Sequence, residues 1–475
     1  MQNSNSKNEM FTQNKGKQQR SMPPVSPARQ AHLEKMAEIG AALQNREVSV
    51  TQENSDNQNF PAKNRNSTDM SGKAFSTRRN AKCVSKRTAL SGSHGGAAVA
   101  SKKIKHKIRY EKLPKIDFPF FIIVIVLLCF GIVMMFSASY AYAFRKFSDS
   151  YYYVFKQLTF IGIGLAAMLA FSIMDYRIML NKFIIKLGAG IAAGLMLYTT
   201  FIVKDRWFYI GGISIQPSEI LKFVVIVIFA YFVHTRYGRL KELKYGFRPF
   251  LLFLMAGCGL TLMQSHLSAT IIIFTIGLIM MFIGDCNIKH IIIMLLVFAI
   301  LLSMGLLGLK AMGHDYFGAR ISGWQNPEAD IRGSTFQTYQ SLITIGSGGL
   351  FGLGLGNSRQ KYSYLPESHN DFIFSIVCEE LGFVGAILVI LLFILFVLRG
   401  FFIALKARDR FGMLLAVGIT SHLGIQSLLN IGVVTNSIPN TGISLPFFSY
   451  GGSALIMQLA EIGVILNISR RAAID

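Results

Sequence analysis

Charged residues are scarce in this sequence: they make up 15% of its 475 residues, whereas 52% are hydrophobic. The 38 phenylalanines are more than a single water-soluble core of this length needs. The apolar residues also fall in blocks of about 20, which is the helix length that crosses the hydrocarbon core of a bilayer. The composition therefore predicts an integral membrane protein.

Cysteine is also rare. The five cysteines are scattered, with no CxxC pair and no spacing typical of a metal site. We therefore expect neither a disulfide nor a thiolate metal centre. The first 100 residues contain no apolar stretch of the kind found in a cleavable signal peptide, so we expect the first membrane helix to target the chain.

The net charge of +23 is unevenly distributed. Residues 1–116 contain 22 of the 48 Lys and Arg and 8 of the 25 Asp and Glu, which places 14 of the 23 net positive charges there. A segment so rich in Asn, Gln, Ser, Lys and Arg buries too little apolar surface to offset its ordering entropy. The sequence predicts a disordered basic cytoplasmic tail over 1–110. We expect its basic run 102–109 to contact anionic membrane lipids, and we expect no nucleic-acid partner.

Ten apolar spans follow the tail and predict an all-α polytopic membrane domain of ten transmembrane helices over residues 111–475. Lys and Arg concentrate in alternate loops, which by the positive-inside rule places both termini in the cytoplasm. The large loop between the seventh and eighth helices, about 310–370, is then extracytoplasmic, as are loops 204–216 and 435–444. The predicted spans are about 118–141, 153–174, 183–203, 217–234, 249–264, 267–284, 288–309, 371–398, 411–434 and 445–468.

The first motif combines Arg206-Trp207 with the stretch Gln216-Pro217-Ser218-Glu219 and with Lys222. Pro217 suits the first turn of a helix, and Glu219 in that turn complements the helix dipole. Lys222 follows Glu219 at i+3, so the two side chains can pair. The motif is either a capped helix with an internal ion pair or a polar cavity that receives a charged headgroup.

The second motif consists of the polar stretch 335–342, which includes Gln340, and the glycine-rich run 346–356. Six glycines in this run could place backbone N–H groups against a pyrophosphate. Glycine also serves tight turns and close packing, so a packed loop is an equal alternative. No GKS or GKT follows, which excludes a P-loop.

The third motif runs from Lys361 into the stretch 364–371, with Glu367 and Asp371 as its carboxylates and His369 between them. A sugar-transfer site needs a base for the incoming hydroxyl and positive charge for a leaving phosphate, and this stretch offers both. Asp371 can instead cap the helix that begins next to it, and the two roles are compatible.

The fourth motif is the stretch 439–453, in which two prolines and three glycines break the helical pattern. Broken backbone at membrane depth is tolerated where protein covers it or where it lines a cavity. Ser449, Tyr450 and Ser453 supply hydroxyl groups there.

Together the four motifs resemble the SEDS family (shape, elongation, division and sporulation) over about residues 115–471. The matching patterns are RW…QPSE…K, QSL…GSGGL.G.GLG, QK..YLPE…DFIF…EELG and LPF.SYGGS, in the family's order. The resemblance implies a ten-helix peptidoglycan glycosyltransferase of the bacterial cytoplasmic membrane. Such a protein polymerises lipid II on the outer face and works with a class B penicillin-binding protein. The family's essential acid falls on Asp371, and its other motif residues fall on Arg206, Lys222 and Glu367.

Two details bear on the branch of the family. The stretch 430–435 is similar to division and sporulation members, whereas Thr441 before Gly442 resembles sporulation or elongation members. Division, sporulation and elongation therefore all stay open.

The resulting hypothesis is an inverting lipid-linked glycosyltransferase with Asp371 as its base. A rival hypothesis is a lipid II flippase, which also needs a polar cavity but does not need a base held at a fixed position on the outer face of the membrane. A divalent cation, Mg or Mn, is a further candidate for stabilising the leaving pyrophosphate. The predicted substrate-binding residues are Arg206, Glu219, Lys222, Gln340, Lys361, Glu367 and Ser449.

Overall fold

The computed structural model describes residues 116–210, 213–311, 316–331, 333, 335–362 and 365–472. The predicted tail 1–110, with its basic run, lies outside the described residues, as does Tyr364.

The described part of the chain is mostly helical, and a short hairpin pairs Phe208–Ile210 antiparallel with Ile213–Ile215. The elements are α1 (Phe118–Phe147), α2 (Tyr152–Ile173), α3 (Lys182–Tyr198), β1 (Phe208–Ile210), β2 (Ile213–Ile215), α4 (Pro217–Thr235), α5 (Arg248–Met263), α6 (Leu267–Ile283), α7 (Ile288–Ala311), α8 (Tyr316–Gln325), α9 (Phe336–Ser347), α10 (Ile373–Leu405), α11 (Arg410–Val434) and α12 (Gly452–Arg471).

Ten of these helices coincide with the ten predicted spans. Nine are long and apolar enough to cross a bilayer, and α6 is an apolar helix of 17 residues, at the short end of the spanning range. The predicted all-α polytopic fold is confirmed. The hairpin in the predicted loop 204–216 is a departure, and α8 and α9 occupy parts of the predicted loop 310–370.

The helices divide into an inner and an outer set. Most of the apolar stretch of α4, α11 and α12 is buried inside the protein, reaching 89% in α12. The corresponding share is only 17% for α3, together with the turn that extends it, and 11% for α7. Apolar side chains exposed on the outer helices suit contact with lipid. Polar side chains on the inner helices are therefore the ones that a cavity can use.

The helix α10 is broken near its start, at Gly382, where φ is 66° and ψ is −165°. The glycine-rich segment 348–356 lies against this break. Its Leu353 and Gly354 N–H groups donate to the carbonyls of Glu379 and Glu380 at 2.9 and 3.0 Å. A Cβ on Gly352 would lie 2.2 Å from the Glu380 carbonyl oxygen, so only glycine permits this approach. The segment is a packed loop, and these N–H groups satisfy protein carbonyls.

The opposite end of the bundle is held by buried and half-buried ion pairs. Asp117 caps α1 by accepting from the Phe120 N–H at 2.9 Å, and it also binds the Arg399 guanidinium through both carboxylate oxygens. Asp409 caps α11 and accepts a hydrogen bond from the Tyr176 hydroxyl at 2.6 Å. These contacts tie the ends of α1, α10 and α11 to their neighbours, away from the predicted site.

Candidate active site

A cavity of about 350 Å³ lies at the end of the bundle where α4, α6, α10 and α12 begin. It brings together five predicted site residues from distant parts of the sequence. Those five residues are Arg206, Glu219, Lys222, Glu367 and Asp371.

Asp371 lies on the cavity wall, two residues before α10. The N-cap of α10 is Phe372, and no side chain caps this helix. The Asp371 carboxylate therefore does not act as the cap, and within the described residues it accepts no hydrogen bond. Its backbone carbonyl is held instead, by the Asn430 side-chain amide at 2.8 Å. The backbone is thus fixed by α11 while the carboxylate faces the cavity.

The environment of this carboxylate makes it a stronger base. Burial and, after it, the nearby Glu367 carboxylate raise the pKa of Asp371 from its usual 3.8 to about 6, against the opposing effects of Arg320 and Arg206. A group with a pKa of about 6 is mostly ionised at neutral pH and still accepts a proton more readily than an ordinary aspartate.

Glu219 and Lys222 form the buried ion pair that their i+3 spacing predicts. The Lys222 ammonium lies 2.7 Å from Glu219 Oε1 and donates to Gln426 Oε1 at 3.0 Å. Gln426 in turn donates to the Ser444 carbonyl at 3.1 Å, which links α4 to α11 and to the loop before α12. Glu219 Oε2 is buried without a hydrogen-bond partner in the described structure. The pair is nearly neutral overall and has one acceptor free.

Arg206 and Glu367 line the same cavity with fewer constraints. Arg206 is half-buried, and none of its guanidinium nitrogens has a hydrogen bond to another described residue. Glu367 adopts a positive φ of 54° and accepts from the Asn370 amide at 2.5 Å. Among the described residues that line the cavity, Lys222 is paired with Glu219, whereas Arg206 offers positive charge without a carboxylate partner.

The structure places Lys361 outside this cavity. It is buried against Glu380, at 3.2 Å between Nζ and Oε1, and also donates to the Gly356 carbonyl and to the Ser137 hydroxyl. Ser137 on α1 donates to the same Glu380 carboxylate at 2.6 Å. A burial this deep needs the carboxylate as a partner, so Lys361 anchors the glycine-rich segment to α1 and α10 and does not reach the cavity.

Gln340 and Ser449 are also absent from the cavity lining. Gln340 lies half-buried on α9. The Ser449 hydroxyl accepts from the Leu445 N–H and donates to the Asn370 carbonyl, both at 2.7 Å. Ser449 thus fastens the loop before α12 to the residue that precedes Asp371, which positions the carboxylate from a distance.

Sequence reasoning missed several residues of the site. His422, Gln426 and Asn430 recur at intervals of four on α11, a polar stripe in an apolar helix that the sequence does display. Arg320 on α8 donates to the Asn440 carbonyl at 2.6 Å, and His266 lines the cavity at the start of α6. No local pattern marks these last two, because their neighbours at the site are distant in sequence.

The described residues contain no group of three or more His, Cys, Asp or Glu side chains suited to holding a metal ion. Glu367 and Asp371 bring two carboxylates to the cavity. Mg²⁺ is commonly bound by one or two carboxylates together with phosphate oxygens of the substrate. A divalent cation therefore stays a prediction, and its protein ligands are not assigned.

The family assignment rests on the length of the match. The model of a family described as "Cell cycle protein", which comprises FtsW, RodA and SpoVE, matches residues 118–474. This chain belongs to the FtsW/RodA/SpoVE family. The match covers all ten membrane helices, and it confirms the resemblance inferred from the four motifs.

Individual relatives agree with this assignment. The chain is 39% identical to stage V sporulation protein E of Bacillus subtilis over 359 residues, which covers 74% of this chain and 95% of that protein. It is 35% identical to the probable peptidoglycan glycosyltransferase FtsW of Geobacter metallireducens over 376 residues, covering 78% and 98%. A chain of a solved peptidoglycan synthase complex aligns with 76% of this protein and 99% of its own length, at a TM-score of 0.62 and 24% identity. That similarity shows that the two chains share a fold.

Proposed function

We propose that this protein is a peptidoglycan glycosyltransferase that polymerises lipid II into glycan strands. The observation that carries the proposal is the Asp371 carboxylate, which faces a polar cavity without a hydrogen-bond partner among the described residues and has a pKa of about 6. Relatives named as probable peptidoglycan glycosyltransferases at 35% identity support the same activity.

In this reaction Asp371 takes the proton from a sugar hydroxyl of the acceptor lipid II. The freed oxygen attacks the anomeric carbon of the growing glycan from the face opposite the leaving group, and the configuration inverts. The bond from that carbon to the pyrophosphate oxygen breaks, and undecaprenyl pyrophosphate leaves with the bonding electrons. Arg206 would stabilise the charge that develops on the pyrophosphate. Lys222 would do so through its ammonium group, which also pairs with Glu219.

The proposed location is the bacterial cytoplasmic membrane, with both termini in the cytoplasm and the cavity on the outer face. We expect single cysteines at Ala329 and Ser437, which are both exposed, to react with a membrane-impermeant thiol reagent in whole cells. A cysteine at the exposed Glu242 is the matched control and should react only after the cells are opened. The native cysteines are first replaced by serine or alanine. Protection of positions 329 and 437 together with labelling of position 242 in whole cells would show that the topology is the opposite of the proposed one.

The proposed partner is a class B penicillin-binding protein, which would cross-link the strands that this chain makes. A related fold occurs in a solved peptidoglycan synthase complex, which supports such an assembly. The purified chain, reconstituted with a class B penicillin-binding protein of its host, should convert lipid II into polymer detected on gels. We expect the partner to increase the rate.

The same preparation tests the rival hypothesis. In vesicles loaded with labelled lipid II, a flippase would move the lipid between leaflets without joining two sugars. That result would contradict the proposed activity. Equal polymerisation with and without every class B penicillin-binding protein of the host would contradict the proposed partner.

A further inference from the structure

The start of α6 is one of the four helix starts at the cavity, and no side chain caps it. The N-cap residue is His266, and its side chain makes no capping hydrogen bond. The first N–H groups of an α-helix have no acceptor within the helix, and they carry the positive end of its dipole. Ser268 and Ala269, in this first turn, line the cavity. Unsatisfied donors of α6 are therefore available to a bound group.

His266 itself points to a ligand at this terminus. Its side chain is only 7% exposed, lines the cavity, and has an Nδ1 atom with no hydrogen-bond partner in the described structure. A buried polar atom without a partner is costly, and such atoms in native proteins call for a specific explanation. Neither ring nitrogen of His266 has a hydrogen bond to a described residue, so the N–H of its imidazole is free for a ligand in the cavity.

The charges that face His266 influence the protonation state of its imidazole and therefore its hydrogen-bonding capacity. Burial, followed by the Arg206 and Lys222 cations, lowers the pKa of His266 to about 3, while the Glu219 carboxylate opposes the shift. The imidazole is therefore neutral at physiological pH, with one N–H donor. Arg206 adds a full positive charge on the same cavity, and the Glu219 charge is balanced by Lys222 at 2.7 Å.

We propose that the start of α6, with His266 as hydrogen-bond donor and Arg206 as counter-charge, is the subsite for the diphosphate of the lipid-linked substrate. Helix N-termini bind phosphate groups through the same combination of free N–H groups and dipole. The inference rests on the proposed function for the identity of the lipid, and it adds a binding residue that no sequence motif indicates.

The experiment measures binding and not turnover. Undecaprenyl pyrophosphate is titrated into the purified chain in detergent, and the fluorescence of Trp207, which lines the cavity, reports occupancy. Undecaprenyl phosphate and inorganic pyrophosphate are titrated as comparators. His266→Ala should weaken the binding of undecaprenyl pyrophosphate by about ten- to a hundredfold, the usual range for a hydrogen bond to a charged group. His266→Gln keeps an N–H donor and should stay within about threefold of the wild type.

The chain offers a matched control in His290. It is also 7% exposed and also has an unpartnered Nδ1, but it packs on Phe247 near the start of α7 and does not line the cavity. His290→Ala should leave the affinity unchanged. A His266-dependent loss for inorganic pyrophosphate as well would show that the diphosphate, and not the lipid, is recognised.

Three results would overturn the subsite. They are an unchanged affinity in His266→Ala, an equal loss in His290→Ala, and an equal loss for undecaprenyl phosphate and undecaprenyl pyrophosphate. None of these touches the polymerase assay. A wild-type chain that polymerises lipid II but shows one of them keeps its proposed function and loses this subsite. A chain that binds as expected but makes no polymer with its partner keeps the subsite and loses the proposed function.

Discussion

Asp371→Asn should lower the rate of lipid II polymerisation by a factor on the order of 10²–10⁴, the typical contribution of a positioned general base. Asparagine has nearly the same shape, and the contact that holds this residue in place goes through its backbone carbonyl to Asn430 at 2.8 Å. The variant should therefore insert, keep its thermal stability and bind its partner. The rate is measured from initial polymer formation with purified protein and partner.

The pH profile supplies the control for this prediction. Because burial and Glu367 raise the pKa of Asp371 to about 6, the wild-type rate should fall as the pH drops through about 6 and the carboxylate becomes protonated. Glu367→Gln removes a charge that raises this pKa, so the fall should move to lower pH. A near-normal rate in Asp371→Asn, or a profile that Glu367→Gln does not move, would contradict Asp371 as the base.

Lys222→Met should destabilise the protein by about 3–5 kcal/mol, because it leaves the Glu219 carboxylate buried without its counter-charge. The side chains of Lys222 and Glu219 are only 2% and 6% exposed, so water cannot compensate. The double variant Glu219→Gln with Lys222→Met should recover most of the stability, since no unpaired charge remains. Its polymerase activity should stay low because the cavity has lost a cation.

Thermal unfolding in detergent measures the first part of this prediction, and the polymer assay measures the second. A Lys222→Met protein as stable as the double variant would show that Glu219 has another partner or takes up a proton. Full activity in the double variant would show that the pair serves the fold alone.

The fold was predictable because membrane helices are encoded locally. A block of about 20 apolar residues suffices to place a span, and the ten predicted spans coincide with ten helices of the structure. The errors lie at the ends, where α10 continues to Leu405 and α12 starts at Gly452. The ends of helices depend on backbone breaks, such as the one at Gly382, and on packing against neighbouring segments. A hydropathy pattern contains no information on either.

The site was predictable only in part, for the same reason. Glu219 and Lys222 are one turn apart, so their pairing follows from helix geometry. Lys361 was expected at the cavity because it precedes the acidic motif, but its partner Glu380 lies 19 residues further on, behind the packed glycine-rich segment. His266 and Arg320 reach the site only through the packing of α6 and α8, which no short pattern reveals.

The break at Gly382 also bears on the order in which the chain enters the bilayer during synthesis. From Phe383 to Leu398 the sequence contains no polar side chain, so the insertion machinery should release this part of α10 into lipid directly. The turns before it carry Glu379 and Glu380, which are too costly to expose to hydrocarbon. These carboxylates find their partners in the already synthesised segment 356–361 and in Ser137 of α1. The start of α10, next to the proposed base, therefore completes its structure against α1 and the segment 356–361, both of which are synthesised before it.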